Sequence, residues 1–244
     1  MLCLHGFTGT PLSVRPLEQH LKRNGCDAHA PLLNGHGGTL RDLAESRWEN
    51  WFDSALDALC RLRVASRQPV AVVGYSMGAL LAVELALMFP NDVSALVLMA
   101  MPLELPAWQK IWLRRFRKWL PKRLLRHPLL SWPKFGGPDI SSHVTYRGDH
   151  SLRALPIGAA NSLLDLAERV RPKLGEVHQP TLIVHSRGDR VVPFAASEEI
   201  VERLGSVEME TLWLERSRHQ LCHDIDRQTI FSTVEDFLAR HQPR

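Results

Sequence analysis

Between Pro69 and Pro90 the chain passes from a β-branched run that stops at Gly74, through Tyr75 and Ser76, into a nearly all-apolar helix pattern over Met77 to Phe89. A strand and a helix that both lack a polar face are satisfied together only inside a parallel sheet covered by helices. Pro90 closes the helix because proline cannot continue the backbone hydrogen-bond ladder. The strand pattern returns at Val93 to Met99, at Thr181 to His185 and, less cleanly, at Val207 to Leu214.

The remaining segments fill the spaces between these runs. Leu2 to Leu4 lead into a glycine-containing loop and a helix pattern from Ser13 to Asn24, closed by Gly25, and Cys26 to Pro31 reads as a short strand. Ser46 and Glu49 have the S-x-x-E spacing of a capping box ahead of Trp48, Phe52, Ala55, Leu59 and Leu62, which share one helical face. A helix opened by Pro193 and closed by Gly205 separates the last two strands. An amphipathic helix carrying Ile230, Val234, Phe237 and Leu238 ends the chain. Strand and helix therefore alternate, which predicts an α/β fold built on a doubly wound, mostly parallel sheet.

Residues 104–179 break the alternation. They show no clear strand, and they hold four of the seven tryptophans and a Pro/Gly-rich stretch from Trp132 to Pro138. The expected organisation is a core of residues 1–103 and 180–244 with 104–179 inserted as a helical cap over the strand ends, where open α/β sheets bind ligands.

A net charge of +4 spread over a fold would point to a nucleic-acid partner, but it is not spread. Trp108 to Arg126 carries eight Lys or Arg and no acidic residue, which leaves the rest of the chain at about −4. The basicity belongs to one segment, and no nucleic-acid partner is expected. In that segment Trp108, Trp112, Phe116, Trp119 and Leu120 recur at helical spacing among Lys110, Arg114, Arg117 and Lys118. The preferred reading is a cap helix whose rings line the apolar ligand pocket and whose charges are solvated. The other is weak association with a lipid surface through the same helix.

Cys3, Cys26, Cys60 and Cys222 are scattered without paired spacing and are expected as free thiols. No stretch approaches the run of about 20 apolar residues that crosses a bilayer, and the first residues lack the order of a secretory signal, so the expected location is cytoplasmic.

The chemistry-bearing residues fall at the strand ends. Gly74-Tyr75-Ser76-Met77-Gly78 is a G-x-S-x-G directly after a buried strand and directly before an apolar helix, which marks Ser76 as a nucleophile held on a tight turn. His5-Gly6-Phe7-Thr8-Gly9 follows the first apolar run, and Phe7 and Met77 are expected to aim main-chain N–H groups at a tetrahedral oxyanion. Asp189 follows one strand and His219 follows the last, giving the chain order Ser, Asp, His in which a carboxylate orients the base that accepts the serine proton. Among the twelve histidines His223 is the nearest competitor, and Ser217-x-His219 followed by Asp224 favours His219. His36 reads as a loop-shaping residue, and Asp224 and Asp226 as caps of the last helix.

These motifs together resemble the α/β-hydrolase superfamily, and within it the compact bacterial carboxylesterases and monoacylglycerol lipases. The resemblance rests on H-G-F-T-G, Asn34 to Gly37, G-Y-S-M-G, G-D-x-V-V-P at Gly188 to Pro193, and S-x-H-x-x-x-x-D at Ser217 to Asp224, and it covers nearly the whole chain. It implies Ser76, Asp189 and His219 as a catalytic triad with Phe7 and Met77 as oxyanion donors. It also implies residues ahead of the H-G motif, whereas here the motif stands four residues after Met1.

The expected activity is hydrolysis of small-molecule carboxylic esters with apolar acyl chains, through an acyl-enzyme on Ser76 and with no metal or cofactor. A thioesterase or acyltransferase would use the same residues, because fold and triad do not fix the leaving group. A non-catalytic lipid-binding protein is the alternative of a different class, and a complete triad speaks against it.

Overall fold

The computed structural model describes residues 1–104, 107–125, 127–134, 137–141 and 151–241, without side chains at 107–109, 122 and 123. Trp108, Lys122, Arg123 and Arg126 of the basic segment, and Phe135 and Gly136 of the Pro/Gly-rich stretch, lie outside the described side chains.

Leu2–Leu4 form β1, buried throughout. The helix expected from Ser13 begins as a 3₁₀ turn at Pro11–Ser13 and becomes α1 at Arg15–Arg23, with Pro16 in its first turn. Cys26 to Pro31 makes no strand of its own; it gives one parallel bridge, Leu2 to His29, on the outer side of β1. α2 (Leu40–Glu45) starts at a capping box that pattern reading passed over, in which Thr39 Oγ1 accepts from the Asp42 N–H and Asp42 accepts from the Thr39 N–H. Ser46 ends α2 rather than capping the next helix, and its hydroxyl accepts from Trp51 Nε1 at 2.9 Å. α3 (Trp48–Ser66) starts instead with the Arg47 N–H donating to Asn50 Oδ1.

β2 (Val70–Tyr75) is buried at every residue and runs one residue past Gly74. α4 (Met77–Met88) follows, buried from Met77 to Ala86, and then β3 (Val93–Met99). Residues 104–179 hold α5 (Ala107–Trp119), α6 (Lys122–Leu125) and two short strands, β4 (Ser131–Pro133) and β5 (Ala154–Pro156), which pair antiparallel. These two strands correct the expectation of none. After β5 comes α7 (Ile157–Val170), which sends Ala159, Leu163, Leu166, Ala167 and Val170 into the same apolar cluster as α3, α4 and the sheet. The chain closes with β6 (Thr181–Ser186), α8 (Ala195–Arg203), β7 (Met209–Leu214) and α9 (Arg227–His241).

The main sheet has the order β1-β2-β3-β6-β7 and every pairing in it is parallel. One apolar cluster fills the face under α3, α4 and α7, and a second fills the opposite face under α1 and α9. This is the doubly wound α/β architecture, and it sets the loops after β1, β2, β6 and β7 along one edge. All four cysteines are free. Among the described residues no helix is long and apolar enough to cross a membrane.

Candidate active site

The turn from β2 into α4 is tightly constrained. Ser76 sits at φ 53°, ψ −120°, outside the regions ordinary side chains adopt. Its neighbours explain why nothing bulkier fits. A Cβ on Gly74 would stand 2.4 Å from Ala79 Cα, and one on Gly78 would stand 2.3 Å from the Leu4 carbonyl oxygen. Strand and helix can therefore cross this closely only with glycine at both positions. The Ser76 N–H donates to Met99 O at 2.8 Å, which pins the turn to the adjacent strand.

The loop after β1 lies against this turn, since a Cβ on Gly6 would be 3.2 Å from Ser76 Cβ. Its floor is aromatic: Phe7 packs on Trp51 with ring centroids 5.5 Å apart, and His36 contacts His5, Phe7 and Trp51. Among the described residues neither the Phe7 nor the Met77 N–H donates a hydrogen bond.

His5 and His36 are held neutral. His5 Nε2 accepts from the Leu33 N–H at 3.1 Å, so its proton is on Nδ1, 3.0 Å from Gly6 O. Burial, with His36 alongside, pushes His5 down to about 3, and burial pushes His36 down to about 4. The unfolded chain binds protons at these two sites below about pH 6.5 while the folded chain does not, so their contribution is complete above that pH and falls as the pH drops toward 4. At pH 5 the expected loss is about 2 kcal/mol per histidine. Urea midpoints at pH 7.5 and pH 5 measure it, and a His36→Gln variant should show a shallower fall. Equal wild-type midpoints at the two pH values would contradict this account.

Asp189 and His219 meet across the loops after β6 and β7. Asp189 Oδ1 accepts from the N–H groups of Val191 and Val192 at 2.8 and 2.9 Å. Its Oδ2 lies 2.7 Å from His219 Nδ1 and 3.2 Å from Nε2 of the fully buried His185. Burial alone would raise this carboxyl, but His219, the His185 ring and the Val192 N–H outweigh it and hold Asp189 well below the usual carboxylate range. The two loops are also packed together, because a Cβ on Gly188 would come within 2.7 Å of Ser217 O and the Ser186 hydroxyl donates to that same oxygen.

His219 is 7% exposed, and its ring lies 5.3 Å from that of Tyr75, the residue before Ser76. The structure thus brings Asp189 and His219 into contact beside the Ser76 turn. No Ser76 to His219 hydrogen bond is formed among the described residues, and such bonds commonly tighten only around substrate. His223 points elsewhere, with Nε2 3.0 Å from Leu12 O.

Asp224 and Asp226 do not act as side-chain caps of α9. Asp224 accepts from the N–H groups of Arg218, Ser141 and Ile225, and Asp226 from the N–H and hydroxyl of Ser217. Both shape the loop that carries His219. Pattern reading also missed His185, although its place four residues before Asp189 on a buried strand was a usable signal.

The basic helix differs from the preferred expectation. Leu113 is buried and Phe116 partly so, against Ile157, Ala160 and Leu164, but Trp112 and Trp119 are 47% and 74% exposed. Nor are all its charges simply solvated. Arg114 pairs with Glu168 at 2.7 Å and Arg117 with Asp165, both across to α7.

Comparison with known proteins places this architecture. The sequence profile of the family described as serine aminopeptidase, S33, matches residues 1–226. A carboxylesterase of Bacillus subtilis (strain 168) is 24% identical over 240 residues, covering 98% of this chain and 92% of its own. A thermostable monoacylglycerol lipase of Bacillus sp. (strain H-257) is 26% identical over 250 residues, covering 99% and 90%. A solved structure from the metagenome-derived lipolytic enzymes LipS and LipT superposes with a TM-score of 0.86 at 30% identity, over 98% of this chain and 93% of that one.

Proposed function

The chain belongs to the serine aminopeptidase S33 family and is an ester hydrolase of the α/β-hydrolase type, and from that premise we propose that it cleaves esters with apolar acyl chains through an acyl-enzyme on Ser76. The observation that carries the reading is the hydrogen-bonded Asp189–His219 pair standing beside a serine held at φ 53°.

In the proposed reaction Ser76 Oγ attacks the acyl carbonyl and its proton passes to His219 Nε2. Asp189 keeps the His219 proton on Nδ1 and stabilises the imidazolium that forms. The N–H groups of Phe7 and Met77 receive the oxyanion; both are free of other acceptors among the described residues. Collapse breaks the ester C–O bond, and the alcohol leaves with the proton from His219. Water, deprotonated by the same ring, then frees the acid and restores Ser76.

The test is covalent labelling with an active-site serine phosphonate, expected at one equivalent and on Ser76. An unlabelled protein would overturn the reading. Rates on matched ester, thioester and amide substrates fix the leaving group, with the ester expected fastest.

The exposed rings of α5 favour a lipid surface as the place where such substrates are met. Among the described side chains of α5, Arg114 and Arg117 pair with α7 and Lys110 with Glu104, which leaves Arg115, stacked 5.6 Å from Trp112, and Lys118 on the outer face with Trp119. Two cations near an anionic surface are worth about 2 kcal/mol together, or roughly 30-fold in binding. Arg115→Gln with Lys118→Gln should weaken sedimentation with anionic vesicles by that factor and leave turnover of a short soluble ester unchanged. Binding should also fall as salt is added. Wild-type protein that stays in the supernatant at low salt would remove the lipid surface from the proposal.

A further inference from the structure

Asp139 lies in the inserted segment, yet its hydrogen bonds go to the two loops that carry the acid and the base. Its Oδ2 accepts from the N–H of Arg190, next to Asp189, at 2.9 Å and from the N–H of His219 itself at 3.2 Å. Its main-chain oxygen accepts from the Gln220 N–H at 3.0 Å, and its Oδ1 lies 3.7 Å from the Arg218 guanidinium. One residue thus holds the main chain at both ends of the Asp189–His219 contact.

The neighbouring residues reinforce the same attachment. The Ser141 N–H donates to Asp224, which in turn holds the Arg218 N–H. On either side of Asp139 in the chain, Lys134 donates to the Thr8 hydroxyl and the Leu152 N–H donates to Thr8 O at 3.0 Å, in the loop after β1. The insertion is therefore tied to the oxyanion loop, the acid loop and the base loop by groups that do not themselves reach a reacting atom.

We propose that Asp139 is a positioning residue, whose carboxylate sets the separation of the Asp189 and His219 loops and so keeps the base aligned. The inference rests on the catalytic reading above. Its physical basis is that two main-chain N–H groups sharing one acceptor oxygen cannot move apart without one losing it, and the His219 donor is partly buried. A base displaced by about 1 Å loses on the order of 10²-fold in rate.

Three substitutions separate positioning from charge and from bulk stability. Asp139→Asn can keep an oxygen where both N–H groups point, whereas Asp139→Ala removes it. Asp139→Glu keeps the charge near Arg218 but carries the carboxylate one methylene too far. Asp139→Ala and Asp139→Glu are expected to lower kcat on a short soluble ester by about 30- to 100-fold with KM within about twofold. They should slow phosphonate labelling of Ser76 by a similar factor, while Asp139→Asn stays within about threefold of wild type. If Asp139→Ala does not fold, the ordering of the Asn and Glu variants carries the test alone. Folded Asp139→Ala labelled as fast as wild type, or an Asn variant as impaired as the Glu variant, would overturn the inference. Wild-type protein that takes no label would overturn the catalytic reading and this inference with it.

Discussion

Ser76→Ala is expected to lose about 10⁵- to 10⁶-fold in kcat on any ester while melting at the wild-type temperature. The kinetic loss follows because no other group can form the acyl bond at that turn. The unchanged stability follows because the Ser76 hydroxyl makes no hydrogen bond among the described residues, and because alanine keeps the Cβ that makes φ 53° costly. Ser76→Gly removes that Cβ. It should be equally inactive but more stable by about 1 kcal/mol after the greater entropy of the unfolded glycine, or about 3 °C in a domain of this size. Thermal melts of the two variants beside wild type separate backbone strain from loss of the hydroxyl. More than a few per cent of wild-type turnover in Ser76→Ala would show that another residue is the nucleophile.

The sheet was legible because its strands are apolar on both sides. Val70 to Val73, Val93 to Met99 and Thr181 to Ser186 leave no face for water, and only a covered parallel sheet accepts three such runs. The capping box was misread for a local reason. Ser46–Glu49 and Thr39–Asp42 have equivalent spacing, and only the fold reveals that Trp51 claims the Ser46 hydroxyl. β4 and β5 carry three residues each, with proline in both, too short for any alternation to register.

At the site, pattern reading reached the residues adjacent to strand ends and stopped there. Ser76, Asp189 and His219 each follow a strand, so chain order and glycine spacing point at them. Asp139 has no such address: its side chain meets partners 51 and 80 residues further along the chain. An isolated aspartate just after a Pro/Gly-rich stretch is indistinguishable from a solvated one until the chain is folded. The same holds for Trp112 and Trp119, whose helical spacing gives the face they share but not whether that face turns inward.

Asp189→Asn is the second large effect, expected at about 10⁴-fold in kcat. Asparagine fills the same volume, and its oxygen can keep the Val191 and Val192 N–H groups that Asp189 Oδ1 holds at 2.8 and 2.9 Å. The amide nitrogen then replaces the oxygen that lies 2.7 Å from His219 Nδ1 and 3.2 Å from His185 Nε2. Two donors now face each other, so the His219 proton moves to Nε2 and the ring can no longer accept from Ser76. The loss should be steepest near neutral pH and should ease as pH rises, where hydroxide can take the serine proton directly. Phosphonate labelling of Ser76 should slow in parallel, because it needs the same deprotonated serine. A loss of less than about tenfold would mean that the orientation of His219 does not depend on Asp189. The carboxylate would then be a structural link between the β6 and β7 loops, and the ring would be held by its packing on Tyr75, with the Asp139 bond to the His219 main-chain N–H fixing the loop beneath it.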